Sequence, residues 1–208
     1  MFYFKKTPWW LKKIYKNCIW QIDTKQNIIY LSFDDGPHPI ATPFVLDELK
    51  KYNATATFFC IGKNVILYPE IYKRIIAEGH AVGNHTLKHL NGWKTKSETY
   101  IKNIQSASKH INSNLFRPPY GRITFQQLKI LLRLQQPFKV IMWSVLSGDF
   151  DPGISNIKCL NNVIRNTTAG SIIVFHDSEK AFEKISFVLP EVLKHFYKSN
   201  FKFNKIDV

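Results

Sequence analysis

The chain alternates short, mostly apolar runs with longer amphipathic stretches. The runs Ile28-Ile29-Tyr30-Leu31-Ser32-Phe33, Ala56 to Ile61, Lys139 to Trp143 and Ile172-Ile173-Val174-Phe175 have strand length, as does the glycine-bracketed stretch Gly79 to Asn84. Each ends at turn residues or polar groups, the pattern of strands buried on both faces. Between them, helical signals cover Thr42–Tyr52, with Val45, Leu46 and Leu49 on one side, and Tyr68–Glu78, entered at Pro69. Further helices are expected over Lys96–Ile111, Thr124–Leu134, Ile157–Asn166 and Glu183–Asn200, with Pro190 predicting a kink or a late start in the last. Such alternation predicts an α/β fold: one domain, a distorted (β/α) barrel, closed or partly open, with about seven parallel strands.

Chemistry gathers where these runs end. Asp34-Asp35-Gly36-Pro37 follows the first run, and two adjacent carboxylates leaving a core repel unless something positive stands beside them. A metal ion would meet that need, one carboxylate serving as ligand and the other as base. The plain alternative is a helix cap beside a solvated aspartate. His85 and His89 lie just past the Gly79–Asn84 run, and on a helical turn their four-residue spacing puts both imidazoles on one face. One aspartate with two histidines is a facial donor set with open positions, suited to Zn²⁺, Co²⁺ or another first-row divalent ion. Arg117-Pro118-Pro119-Tyr120-Gly121 offers a fixed guanidinium on a stiff loop. The stretch Trp143 to Phe150 contains Asp149, and the run ending at Phe175 delivers His176 and Asp177. All five polar clusters fall at carboxyl ends of strands, the face on which α/β barrels build active sites.

In order and content these five motifs resemble the polysaccharide deacetylases, the NodB-homology domain of carbohydrate esterase family 4, over residues 27 to 205. The resemblance implies metal-dependent hydrolysis of acetyl groups, usually N-acetyl groups of amino sugars in a glycan such as peptidoglycan or a chitin-type oligosaccharide. It implies that Asp35, His85 and His89 hold the metal, most simply Zn²⁺, and that Asp34 is the general base. The chemistry of the groups agrees. A bound cation would polarise the acetyl carbonyl and acidify a water, Arg117 would keep Asp34 ionised and oriented, and the Tyr120 backbone N–H would receive the oxyanion. His176 would protonate the leaving amine, with Asp149 holding the imidazole charged, although Asp151 stands two residues away as a competing partner. Leu146, Phe150 and Val174 depart from the residues usual in the fourth and fifth motifs; they are expected to line the pocket for the acetyl methyl and to change its shape. Rival readings are an O-acetyl xylan-type esterase, a non-sugar amide hydrolase of the same superfamily, or an inactive sugar-binding protein. The retained base, acid, ligand set and arginine disfavour the last two.

Composition narrows the picture further. A length of 208 residues suits one domain with a sizeable core, and 16 Phe, 9 Tyr and 5 Trp supply core and sugar-stacking surface alike. Cys18, Cys60 and Cys159 are odd in number and widely spaced, so reduced packing in the core is expected. The net charge of +14 comes from lysines scattered through the helices, with no nucleic-acid motif, so an acetylated glycan rather than nucleic acid is the expected partner of a monomer. Residues 1 to 26 precede the family resemblance and are basic and aromatic, with Trp10, Leu11, Ile14 and Cys18 at helical spacing. They suit either a short interfacial helix in weak contact with a membrane surface or, the more common use, a segment that packs on the barrel and closes its bottom. Lysines 12, 13 and 16 interrupt any signal-peptide apolar core, and no span of eighteen apolar residues exists. The sequence therefore shows no export signal, while the resembled family often acts at the cell envelope; the compartment is left open. Of the other histidines, His38 is expected in a turn, and His80, His110 and His195 in packing or on the surface.

Overall fold

In the computed structural model, which describes residues 3–208, strand β1 (Ile28–Asp34) is the central element and is buried along its whole length. It pairs in parallel with β2 (Thr57–Cys60) on one side and β7 (Ile172–His176) on the other. The strand order is β5-β4-β3-β2-β1-β7-β6, with β3 at Ala81–Asn84, β4 at Leu115–Phe116, β5 at Lys139–Val140 and β6 at Val145–Leu146. A short β8 (Lys202–Phe203) adds to the start of β1. All these pairings are parallel, as an open, distorted (β/α) barrel requires. The expected run from Lys139 to Trp143 divides, since only its first two residues form β5 and a second strand begins at Val145.

The two-residue period of β1 positions the site. Ile29, Leu31 and Phe33 point outward into the cluster shared with the helices, while Ile28 and Tyr30 join the interior cluster with Phe59, Leu115 and Ile172. Alternation then carries Ser32 and Asp34 onto the interior face above Tyr30. The interior file of β1 thus changes from apolar to polar toward its carboxyl end. Strand β7 does the same, with Ile173 and Phe175 in the outer cluster and Ile172, Val174 and His176 on the alternate face. Outside the sheet, Phe33 lies between Phe58 and Phe175, with ring centroids 5.1 and 6.0 Å away.

Helices α2 (Ala41–Lys50), α4 (Pro69–Ala77), α5 (Ser97–Ser108), α6 (Phe125–Leu131) and α7 (Asn156–Ile164) fall where the periodicity places them. Thr124 and Gln127 form a reciprocal capping box at the start of α6, which ends the preceding loop sharply. Helix α8 corrects an expectation: it begins early, at Glu179, and runs through Pro190 to Lys198. Its apolar positions Ile185, Val188, Leu189, Val192, Leu193 and Phe196 are all buried in the outer cluster, and that burial outweighs the hydrogen bond Pro190 removes. A short α3 (Gly62–Leu67) had no clear signal in the sequence.

The N-terminal segment also differs from its helical pattern. Helix α1 is only Trp9–Ile14, and Trp10 and Ile14 are exposed rather than packed. What the segment does instead is cross the seam between the two ends of the sheet. Lys6 bridges to Val145, the first residue of β6, and Ile19 bridges to Ile141 just past β5. Thr7 N donates to Ser144 O at 2.9 Å, and Ile19 O accepts from Met142 N at 2.7 Å. Gln21 then reaches Ser171 at the start of β7. Cys18, Cys60 and Cys159 are free and buried. No helix among the described residues is long and apolar enough to cross a membrane.

Gly83 in β3 faces the Phe59 ring so closely that an added Cβ would stand 2.5 Å from two ring carbons. Gly83→Ala is expected to lower stability by about 1–3 kcal/mol through overpacking, measured by urea unfolding.

Candidate active site

The carboxyl ends of β1, β3, β4 and β7 and the loop after β6 bring eight sequence-predicted residues to one end of the barrel. Asp34 ends β1 and is 4% exposed. Directly behind it, Arg117 is wholly buried with every arm of its guanidinium engaged. Nη1 donates to Asp34 Oδ1 and to Ser32 Oγ, both at 2.7 Å, Nη2 to Met142 O at 3.0 Å, and Nε to Ile141 O at 3.2 Å. The guanidinium carbon also lies 4.0 Å from the centroid of the Phe59 ring. Removing a guanidinium from water is costly, and the full set of partners is what makes this position tolerable.

Asp35, His85 and His89 form the candidate metal centre, with one donor atom from each lying within 4.8 Å of the others. Asp35 Oδ1 is 3.1 Å from His89 Nε2 and 3.6 Å from His85 Nε2. Tetrahedral donors at about 2.0–2.1 Å from a zinc ion stand roughly 3.3 Å apart, so these separations fit such an ion. Asp35 Oδ1 is buried and accepts no well-aligned hydrogen bond, an orphaned acceptor that a cation would satisfy. His85 Nδ1 lies 2.8 Å from the Arg117 carbonyl. That oxygen can only accept, so Nδ1 carries the proton and Nε2 offers its lone pair to the cluster. Burial, above all, pushes the His85 imidazole down to about 4, leaving it neutral as a metal ligand must be. Burial alone would raise Asp35, but the histidines around it, led by His89, hold its carboxyl well below the usual range.

The two histidines do not lie on a helical turn. Thr86 and His89 adopt φ of 65° and 54°, so the His85–His89 segment is a folded loop, and Asp35 (φ 81°) and Tyr120 (φ 61°) share this left-handed backbone. Non-glycine residues there are strained by about 1–3 kcal/mol each, and buried or half-buried side chains hold them. Asn84 Oδ1 accepts from Thr86 N, and Asn103 Oδ1 from both Leu87 N and Lys88 N. Asn64 Nδ2 donates to Asp35 O at 2.7 Å. The wholly buried Asp177 accepts from Gly36 N at 3.1 Å and pairs with Thr42 Oγ1 at 2.5 Å. A Cβ at Gly36 would collide with that carboxylate. Burial pushes Asp177 up to about 8, so it is protonated at neutral pH and adds little charge beside Asp35.

These supporting residues escaped sequence reasoning. Asp177 and Asn84 each adjoin a motif histidine, a usable signal; Asn64 and Asn103 lie on helices with no local sign of their role.

On the opposite wall, His176 Nδ1 lies 2.8 Å from Asp149 Oδ1, and the His176 backbone N–H donates to Asp149 Oδ2 at 2.7 Å. Asp149, wholly buried, also accepts from Ser147 Oγ. Asp151 instead accepts from Gly153 N and stands off this pair. Burial lowers the His176 imidazole, but Asp149 and then Asp35 and Asp34 raise it further, to about 9. Register makes His176 the direct neighbour of Asp34 across β7 and β1. Phe150 packs edge-on against His176 with centroids 5.1 Å apart, while Leu146 and Val174 are buried. The turn at Pro119–Gly121 is closed by Gly121 N to Pro118 O and Arg122 N to Pro119 O, so neither hydrogen bond uses the Tyr120 N–H. The Tyr120 ring packs 4.6 Å from His89 and stays largely exposed.

Two outcomes follow from this geometry. Arg117→Lys keeps a charge but cannot reach both the Ile141 and Met142 carbonyls, and is expected to cost about 1–3 kcal/mol of stability in urea unfolding. His176 keeps its proton until pH rises through about 9. The stability its ion pair contributes is therefore complete below about 6.5, the unfolded value, and fades as pH climbs through about 9. Asp149→Asn removes the strongest upward pull, so the His176 midpoint should fall, as read by histidine NMR titration of chelated protein.

Comparison with known proteins places this geometry. The polysaccharide deacetylase family model matches residues 21–137. A peptidoglycan-N-acetylglucosamine deacetylase of Bacillus cereus is 34% identical over 191 residues, covering 86% of this chain and 88% of the relative. Another of the same description and organism is 40% identical over 156 residues, and there the match spans only 56% of the relative's length. A chitooligosaccharide deacetylase of Azorhizobium caulinodans is 38% identical over 165 residues, 76% of this chain and 77% of the relative. A crystal structure of a peptidoglycan N-acetylglucosamine deacetylase, in complex with 4-naphthalen-1-yl-N-oxidanyl-benzamide, superposes with a TM-score of 0.86 at 32% identity, covering 96% of this chain and 95% of that one. By sequence and by fold alike, the chain belongs to the polysaccharide deacetylase family.

Proposed function

We propose that this protein hydrolyses the N-acetyl group of an amino sugar in a glycan, of peptidoglycan or chitin type, releasing acetate. One observation carries the reading: a cluster of three groups able to hold a metal shares one end of the barrel with a carboxylate braced by a buried arginine and a histidine braced by a buried aspartate. The peptidoglycan and chitooligosaccharide deacetylases among its relatives support the substrate class.

Asp35, His85 and His89 would hold a divalent ion, with zinc the best match to two imidazoles and a carboxylate. When bound, that ion supplies Lewis acidity toward the acetyl carbonyl and toward water. Asp34 takes the proton from the attacking water. Its Oδ1 is committed to Arg117, which leaves Oδ2 for the proton and fixes the direction of approach. As the carbonyl carbon becomes tetrahedral, the Tyr120 N–H donates to the developing oxyanion. His176, charged up to about pH 9, gives a proton to the amine nitrogen as the C–N bond breaks. Asp149 holds Nδ1, so the transferred proton leaves from Nε2. Acid and base thus act from adjacent strands, and their roles follow from opposite neighbours, an arginine for one and an aspartate for the other.

The test is acetate release from N-acetylglucosamine oligomers and from peptidoglycan, after chelation and again after adding Zn²⁺ or Co²⁺. Release should vanish with chelation and return with metal, and Asp34→Asn should lower the restored rate by about 10²–10⁴-fold. Metal binding without acetate release from any acetylated glycan would overturn the substrate assignment. Absence of metal binding would overturn the mechanism.

A further inference from the structure

Beside the candidate active site lies an exposed aromatic surface whose rings the chemistry above does not use. Trp93, Tyr120 and Phe125 are each 59% exposed. Trp93 follows His89 by four residues, at most about 14 Å of extended chain, and Arg122 follows Tyr120 by two. These residues do not merely share a neighbourhood. The Trp93 indole Nε1 and the Tyr15 hydroxyl both donate to one acceptor, the Ile123 carbonyl, at 3.1 and 3.2 Å. Tyr15 stacks on Phe125 with centroids 4.8 Å apart and planes 14° from parallel. Arg122 lies against Trp93, its guanidinium carbon 5.0 Å from the ring centroid.

From this we infer that Trp93, Tyr15 and Phe125 form a glycan-binding subsite for sugars of the same polymer beyond the one being deacetylated, and that the N-terminal segment supplies part of it. The inference rests on the glycan reading of the catalytic site and deepens it by naming the residues that would hold sugars flanking the one deacetylated.

The physical argument has three parts. Large exposed aromatic surface is costly to leave in water, and where it adjoins a reaction centre it marks a ligand groove. A pyranose presents a face of C–H groups that covers an aromatic ring while its hydroxyls remain solvated, so exposed rings bind sugars without requiring a deep pocket. The rings are also pre-ordered: indole and phenol are pinned to one carbonyl, Tyr15 backs Phe125, and Arg122 backs Trp93. Binding therefore loses little side-chain freedom, which is where affinity is otherwise lost. Tyr15 can reach this position only because the N-terminal segment is stitched across the seam between β5 and β6.

Continuity with the candidate active site favours a glycan over the other occupant this surface suggests, an anionic membrane. What suggests the membrane is α1, where Trp9, Trp10 and Ile14 are exposed with Lys13 and Lys16 nearby in the chain.

The deciding experiment measures kcat/KM on N-acetylglucosamine oligomers from dimer to hexamer for the wild type, Trp93→Ala, Phe125→Ala and Trp93→Phe. The two alanine variants should lose about tenfold on the hexamer, the effect of truncating a contact aromatic, and little on the dimer, with Trp93→Phe retaining most of the wild-type value. Equal loss at every length, or no loss at any, overturns the inference. Calorimetric binding of the hexamer to Asp34→Asn protein, with and without Trp93→Ala, decides independently of turnover. Weaker binding on adding Trp93→Ala supports the subsite even if the wild type releases no acetate, in which case only the deacetylation reading fails. Unchanged hexamer binding, together with loss of binding to phosphatidylglycerol vesicles, would assign the surface to a membrane and overturn the subsite.

Discussion

A buried arginine sets the geometry of this protein's chemistry. Arg117 joins β1 through Ser32 and Asp34 and reaches the carbonyls of Ile141 and Met142 across the barrel interior. Its own carbonyl, meanwhile, orients His85. One residue therefore fixes the Asp34 carboxylate by its side chain and the His85 imidazole by its backbone. Such a burial is tolerable only when every donor is matched, and that demand constrains the interior strands to one register. Asp34 cannot be moved without disturbing the wall that holds it.

Around this fixed centre the strain is concentrated in the ligand loops. Asp35, Thr86, His89 and Tyr120 all take positive φ, a conformation that non-glycine residues adopt at some cost. Asn64, Asn84, Asn103 and Asp177 offset that cost through hydrogen bonds to the loop backbones. The donors that face one another at Asp35, His85 and His89 are thus pre-arranged by a shell of amides. The price of this arrangement is met by the large apolar clusters on the two faces of the sheet. A site held in this way can present the neutral His85 imidazole and the ionised Asp35 carboxylate together in the absence of any internal rearrangement.

The N-terminal segment has a structural and a functional side. Sheet order leaves β5 and β6 as unpaired ends, and exposed strand edges are a liability. Residues near Lys6 and Ile19 satisfy those edges with backbone hydrogen bonds. In doing so they carry Tyr15 to the rim beside Phe125 and Trp93. The helical spacing of Trp10, Leu11 and Ile14 suggested an amphipathic helix. The decisive contacts came instead from the extended residues flanking it, because backbone pairing at an open seam carries no side-chain period to detect.

Much of the rest was legible in the chain itself. Apolar runs marked the strands because a sheet covered on both faces needs them, and the polar residues just past each run are the ones the structure gathers at one end of the barrel. Those identities depend only on chemical type and order, which a sequence states directly. The helical turn expected for His85–His89 failed because a four-residue spacing is shared by helices and by folded loops, and only distant Asn103 and adjacent Asn84 select the loop. The choice of Asp149 over Asp151 was likewise open until β6 and β7 were set side by side, since two residues of separation cannot say which carboxylate turns inward. The sequence determined which chemical groups stand at the ends of the strands. Which of them meet, and in what protonation state, is a matter of burial and long-range hydrogen bonding, and only the tertiary structure decided it.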